Sequence, residues 1–461
     1  MQLQRMQRTL LRLTTPMLSC VAALLGQNLS LAQVPSGAPV KLTLSQAIDL
    51  ALKQNRTLQL ARLAVYDSEH KKEIARSAYF AHIKNESSIL HVTELAGVEI
   101  PAGAFGVPAS TGAIPGKSLF IGQGSATAYT SGTGLAQPLT QMFKIRESNR
   151  AATADINTAK IQVDQAEDEI ALKVRQLYYG LLIGQLRLQA AEEEISASQT
   201  KLEESSSAVT EGRALDVTAL ESRAALLDAK QAALTQGLQI NDLTLALDDL
   251  LGLSLSSKLQ LEQETPATSL SIPSREECIR IAQVKSPEIR TAQQAIVKAR
   301  AGLSAAKDAY IPDVTGLARY SYQSGVPLLV HNFGTFGFNL TYDLFDGGRR
   351  NSEIADSRTL LSEAEVSLAK AEDELTVQVE TAYDKVEQLR NMVGVAEEAL
   401  AVRTEAARLA DRQFEQTAAL ASARAEASAK AATAKASLLE ATLGLTLAQA
   451  ELERTIGQIP R

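Results

Sequence analysis

The chain has 461 residues, with 46 basic against 53 acidic side chains and a formal net charge of −7. Its apolar share is an ordinary 45%, but aromatics are only 4% and there is no Trp, which excludes a thick globular core and suits thin packing in which Ala, Leu and Val mesh between helices. Net acidity argues against a nucleic-acid partner, and nowhere does the chain reach the roughly 18 consecutive apolar residues of a membrane helix.

Residues 1–32 are predicted to be an export signal. Arg5, Arg8 and Arg12 form a basic start, Leu13 to Gly26 is a short apolar stretch, and Ser30-Leu31-Ala32 is a small-x-small cleavage site. The alternatives are an amphipathic helix, or lipidation at Cys20, which the very short apolar run before it disfavours. Removal leaves a net charge of −10 and Cys278 as the sole cysteine, so no internal disulfide can form although export would permit one.

The remainder is written twice. Ala75 to Tyr79 recurs as Ala306 to Tyr310, 231 residues on; later the shift is 205, with Leu135 matching Leu340, Val174 matching Val379, Tyr178 matching Tyr383 and Gly252 matching Gly457. The first copy therefore carries a 26-residue insertion between positions 79 and 135. The expected units are a first repeat over 33–252, a linker over 253–273 and a second repeat over 274–461.

Each repeat reads as helix, strand, strand, long helix, shorter helix. The opening helical segments are Leu42 to Ala78 and Ser274 to Ala309, with Thr43 and Ser274 as N-caps and Gln46 and Glu277 completing capping boxes. Strands are predicted near 79–93 and 120–136, then near 310–323 and 333–345. The insertion around Pro101 to Gly124 is rich in Gly, Ala, Ser and Pro and reads as an extended outer loop over 95–122. Long helices span Gln141 to Glu211 and Arg349 to Gln416, and breaks follow near Gly212 and Thr417. Closing helices run from Leu215 to Leu251 and from Ala419 to Ile456. Ile170, Val174, Leu177, Leu181, Leu188 and Ile195 step by fours, threes and sevens, the seam of a left-handed coiled coil. The two shorter helices of the first repeat together match the length of the long one, so they can stack end to end beside it. From Ala419 to Ala431 every second residue is Ala, a strand-like period that the helix propensity of Ala should override.

The strands show the environment. Phe336, Phe338, Leu340, Tyr342 and Leu344 alternate with Gly337, Asn339, Thr341 and Asp343, and Val314 to Gln323 alternates likewise. Of the 19 Phe and Tyr residues, 13 fall in 79–135 or 310–345. Aromatics gathered on alternating strands of an exported, helix-rich chain point to membrane-facing barrel strands with interfacial girdles. A small soluble sheet is the bland alternative. Four strands cannot close a barrel, and lipid does not tolerate an open edge. The sheet must then be shared between copies, two giving eight strands and a filled lumen, three giving twelve and an open pore.

These features together resemble the TolC-like outer-membrane efflux proteins. The resemblance covers about Leu42 to Gly457. It rests on the duplicated element order, on the LTLSQAIDLALKQN opening, and on the turns at Asn55 and Ser286. It rests also on Gln137-Pro138-Leu139 and on Asp343-Leu344-Phe345-Asp346-Gly347-Gly348-Arg349. It implies a fold that is mainly α with a membrane β-barrel portion: a homotrimer whose copies share a twelve-stranded barrel in outer-membrane lipid, continued by a long α-helical coiled-coil tunnel in the periplasm. It also implies a passive exit duct for efflux or type I secretion, opened at its periplasmic tip and working with a periplasmic adaptor and an inner-membrane transporter.

The candidate sites follow. Pro138, Gly347 and Gly348 are expected to form the strand-to-helix turns. Gly212 and Thr417 should mark the periplasmic tips. In the family a Gly there is followed six residues later by an Asp, sometimes with another acid three residues beyond; here those positions hold Thr218 and Glu221, and in the second repeat Ala423 and Glu426. Copies of Glu426 about a shared axis would make a cation-favouring carboxylate ring, so Glu426→Ala should lower cation selectivity in bilayers. Asp216 is counted with the tip residues, its plain alternative being a cap for the helix that follows. No phosphate-binding Gly loop is present. His70, His82, His91 and His331 lack metal-ligand spacing, so neither metal, cofactor nor enzymatic activity is expected. The rival function is a non-conducting periplasmic coiled-coil tether, which would have no use for lipid-facing aromatics. A third idea makes the outer loop a surface receptor.

Overall fold

The architecture is built from local signals that occur twice. In a computed structural model, which describes residues 40–93, 97–122, 126–254, 259–262, 272–325, 330–416 and 419–458, strand β1 (Val40–Leu42) leads into α1 (Leu44–Gln54) and α2 (Arg56–Ser77). The predicted leader and Cys20 lie outside the described residues. Each opening segment is two helices, not one. Asn55 closes α1 by donating its N–H to Ala51 O, while its side chain accepts from the N–H groups of Thr57 and Leu58 and so caps α2. In the second repeat α5 (Arg275–Lys285) and α6 (Pro287–Lys307) meet at Ser286, where Pro287 occupies a first-turn position that needs no N–H. The capping box at Thr43 is complete. At Ser274 it is half made, because the Glu277 carboxylate turns to Arg280 instead.

The first repeat continues through β2 (His82–His91), β3 (Gly97–Ile100), β4 (Leu119–Gly122), β5 (Thr127–Pro138), α3 (Met142–Thr210) and α4 (Asp216–Leu251). The second continues through β7 (Asp313–Ser324), β8 (Asn332–Thr341), α7 (Arg349–Glu415) and α8 (Ala421–Thr455). The insertion is not a bare loop, since β3 and β4 form an antiparallel hairpin within it. The segment expected as a plain linker holds β6 (Leu259–Leu261), which pairs in parallel with β1. Helix wins in the alanine-alternating stretch, as propensity requires. Strand β8 ends at Thr341, short of the predicted 345, because Asp343 already belongs to the turn that follows and Arg350 takes its carbonyl.

The four long strands make one antiparallel sheet in the order β2-β5-β7-β8. The helices form four columns side by side: α2 and α4 beside α3, then α6 and α8, then α7. With 69 and 67 residues, α3 and α7 each extend about 100 Å at 1.5 Å per residue.

Two small cores hold the columns, one per repeat, and they match across the duplication. Ala47, Ala51, Leu58, Val174 and Leu251 in the first correspond to Cys278, Ala282, Ile289, Val379 and Ile456 in the second, all buried. Gly252 and Gly457 end the two repeats with φ of +68° and +70°, the left-handed cap that glycine adopts without a Cβ penalty. Of the predicted seam, Ile170, Val174, Leu177 and Leu181 are buried, whereas Leu188 and Ile195 are half-buried. Toward the tip Ala190, Ala197, Ala229, Ala429 and Ala436 take over, and small side chains let the helices approach closely there.

Candidate functional site

The sheet has two chemically opposite faces. Cross-strand partners share a face, so the register assigns every residue. One face carries Ile83, Leu135, Ala318 and Phe336 in one row, with Tyr320, Tyr322, Phe338 and Leu340 nearby. Phe336 and Phe338 are 92% and 79% exposed. Its polar members satisfy one another: Asn85 Nδ2 donates to Thr133 Oγ1 at 2.9 Å, Ser87 Oγ donates to Asn85 Oδ1 at 2.8 Å, and Ser87 and Ser131 hydroxyls meet at 2.9 Å. The opposite face carries Lys84, Glu86, Asp313 and Arg319, every Asp, Glu, Lys and Arg of the four strands.

Both edges of the sheet are open. Every position of β2 and of β8 is exposed, so each edge offers a row of unpaired backbone groups. The outer helix columns are open in the same way. Leu220, Leu227, Leu234 and Leu238 stand exposed along α4, and Leu60, Leu63 and Ile74 along α2. On α7, Met392, Val395, Val402 and Leu409 are exposed at heptad spacing. Edge β2 lies at the end of α2 and edge β8 at the start of α7, so the chain has two unlike lateral borders, each with a strand edge and a long apolar helix stripe.

At the second strand-to-helix turn, Gly347 and Gly348 adopt φ of +67° and +88°, as their residue type allows. Asp346 organises this turn. Its carboxylate accepts from the N–H of Gly348 (3.0 Å), the N–H of Arg350 (3.2 Å) and Arg350 Nε (2.6 Å). The hydrogen bond from Arg350 outweighs the cost of burial and holds the Asp346 carboxyl down at about 2. Arg350 is itself buried and sits over the rings of Tyr310 and Tyr342. In the first repeat Pro138 does not make the turn. It is the last residue of β5, opposite Thr315, and Thr140 is the hub: its hydroxyl donates to Pro312 O at 2.7 Å and accepts from Val314 N–H at 2.8 Å.

At the far ends of the helices, Gly212 turns the chain from α3 to α4 with φ +72°. Asp216 does not cap α4. Leu215 occupies the N-cap and Asp216 is the first helical residue, where its charge complements the helix dipole without accepting the capping bond. Glu221 is exposed on α4, and Thr417 lies outside the described residues. Glu426 forms an ion pair with Lys430 one turn on, at 2.5 Å, and this bond lowers its carboxyl pKa. The carboxylate is thus ionised at neutral pH, but a cation offsets it.

Two features at and above the tip had no motif to announce them. The start of α8 lacks a side-chain cap of its own, and Glu204 on α3 supplies one, accepting from Ser422 N–H at 2.9 Å and from the Ser422 hydroxyl. Arg424 meanwhile reaches Asp411 on α7 at 2.6 Å. Asp248, near the end of α4, is fully buried with no hydrogen-bond partner on either carboxylate oxygen, and burial pushes its pKa up to about 6. Its sequence signal was an acid one step off an apolar seam, flanked by Leu247 and Leu251.

Among the described residues no helix is long and apolar enough to cross a membrane, and no group of His, Cys, Asp and Glu could hold a metal ion. The fold is that of solved outer-membrane channels. CmeC of Campylobacter jejuni superposes with a TM-score of 0.74 at 15% identity, over 90% of this chain and 85% of that one. VceC of Vibrio cholerae gives 0.70 at 15%, over 90% and 96%. The outer membrane efflux protein BepC of Brucella suis is 24% identical over 366 residues, 78% of this chain and 73% of its own length. The pattern of the outer membrane efflux protein family matches residues 47–253 and 278–458, one block in each repeat. The chain belongs to the outer membrane efflux protein family.

Proposed function

We propose that three copies of this chain close a twelve-stranded barrel in the outer membrane and a helical tunnel in the periplasm, forming the passive exit duct of a tripartite efflux or type I secretion system. The carrying observation is the pair of unlike open borders. A β2 edge with the α2 and α4 stripe meets a β8 edge with the α7 stripe, a head-to-tail contact that repeats until it closes. Closure removes the open edges that lipid forbids. The aromatic face then meets lipid and the charged face lines the pore.

In each repeat the chain turns back from the long helix to the closing helix far from the sheet, and these turns are the periplasmic tip that would open. Gly212, Asp216, Glu221, Thr417 and Glu426 lie at or beside it, with Glu204 joining the tips of the two repeats. A periplasmic adaptor and an inner-membrane transporter are the proposed partners, as the family implies. The residue ranges of the signal, the two repeats and the linker belong to the same proposal.

The test uses detergent-extracted full-length protein. Migration that changes on heating, together with single-channel conductance in planar bilayers, supports the duct. A monomer soluble without detergent and devoid of conductance supports the tether and refutes the duct.

A further inference from the structure

The charged face of the sheet has a definite layout. Lys84, Gly134, Arg319 and Thr335 form one row across the four strands, and Glu86, Gly132, Ser321 and Phe333 form the adjacent row. Glu86 sits between two cations, with Lys84 Nζ at 2.8 Å and Arg319 Nη1 at 3.8 Å. Arg319 reaches it by leaning diagonally across β5, and glycine makes the path. A methyl carbon placed on Gly132 would stand 2.5 Å from the guanidinium, so any larger residue there would evict Arg319. With Gly132 bare, the Arg319 guanidinium lies over β5. The remaining acid of the face, Asp313 at the helix end, is balanced by Lys144 at 3.3 Å. His82 shares the face, and the strands place no other ionisable group on it. The middle of this wall therefore carries two positive charges against one negative.

We propose that Lys84, Glu86 and Arg319 form an anion-selecting station on the barrel wall, repeated in each copy, which gives the outer part of the duct a preference for anionic over cationic cargo. The inference rests on the reading that this sheet closes into a shared barrel with its charged face inward. Three net positive charges would then line one level of the pore. At a distance on the order of 10 Å across water, and screened at about 0.1 M salt, three unit charges change the local concentration of a monovalent ion by about twofold. A polyvalent anion would feel the same field once per charge.

The experiment is reversal potential across a potassium chloride gradient, measured on the full-length assembly in planar bilayers. Arg319→Ala is expected to raise the potassium-to-chloride permeability ratio by about fourfold, because the two ions shift about twofold in opposite directions, and Glu86→Gln to lower it by a similar factor. Arg319→Lys should leave it near the wild-type value. Lys84→Ala provides the same upward shift through a side chain that leaves the Gly132 path untouched, should the Arg319 variant fail to assemble. If conducting Arg319→Ala or Lys84→Ala channels keep the wild-type ratio, the station is overturned. If the wild-type protein does not conduct at all, the barrel reading itself has failed, which is a different result.

Discussion

Asp248 offers the sharpest test of the packing described above. Its folded pKa of about 6 exceeds the ordinary 3.8 because burial disfavours the charged form. The folded state therefore holds its proton more tightly than the unfolded state. The contribution of Asp248 to stability is therefore greatest below about pH 4, falls as pH rises from there to about 6, and is flat above, where both states are ionised. A difference of roughly two pKa units corresponds to a penalty on the order of 3 kcal/mol on the alkaline side. Asp248→Asn keeps the shape and removes the charge. The variant should exceed the wild type by on the order of 2–3 kcal/mol at pH 8, and the gap should shrink to about 0.5 kcal/mol near pH 4. Denaturant titration of the detergent-solubilised protein at the two pH values reads both numbers through the shift of the midpoint. An advantage of equal size at pH 4 and pH 8, or a destabilised variant at pH 8, would refute the claim that an unpaired buried charge is the source.

Three further outcomes are expected. Tyr178 places its hydroxyl against the carbonyls of Leu42 and Glu262, tying the β1–β6 pair to α3; Tyr178→Phe should cost about 1–2 kcal/mol in the same titration and leave conductance intact. Gly348→Val forces a β-branched residue to φ +88° with no neighbour to clash against, so the loss of about 1–3 kcal/mol is one of backbone strain; less heat-modifiable oligomer should be recovered, and unchanged yield would contradict this. Glu204→Ala removes the cap that α3 lends to α8 and should increase the open probability of single channels, whereas Glu204→Gln, which still accepts from Ser422, should change it less.

Much of this architecture is legible in the sequence, because it depends on local or periodic signals. Duplication, the Thr43 cap, the alternating strands 314–323 and 336–340, the heptad seam from Ile170 to Leu181 and the glycines at 347 and 348 each leave a pattern within a few residues of themselves. What escaped depends on partners far apart in the chain. The β1–β6 pair joins Val40–Leu42 to residues beyond 258 through strands of three residues, too short to show a period. Glu204 lies 218 residues from Ser422, and on α3 it resembles any solvated glutamate. The capping alternative at Asp216 fails because a capping residue type one position late looks the same in sequence as one in place. Pro138 was misread because proline also suits the end of a strand, and the chain gives no local sign that Thr140 will reach across to β7.

The inequality of the two borders reaches beyond a single molecule. On the proposed closure, a subunit spoiled at β8 alone would still offer an intact β2 side, so it would join a growing circle and then stop it. When spoiled and sound chains are made in equal amounts, about one circle in eight is wholly sound if three members are drawn at random. A lesion confined to one flank should therefore behave as dominant in a cell that also makes the normal protein, whereas a chain damaged on both flanks would be left out and prove recessive.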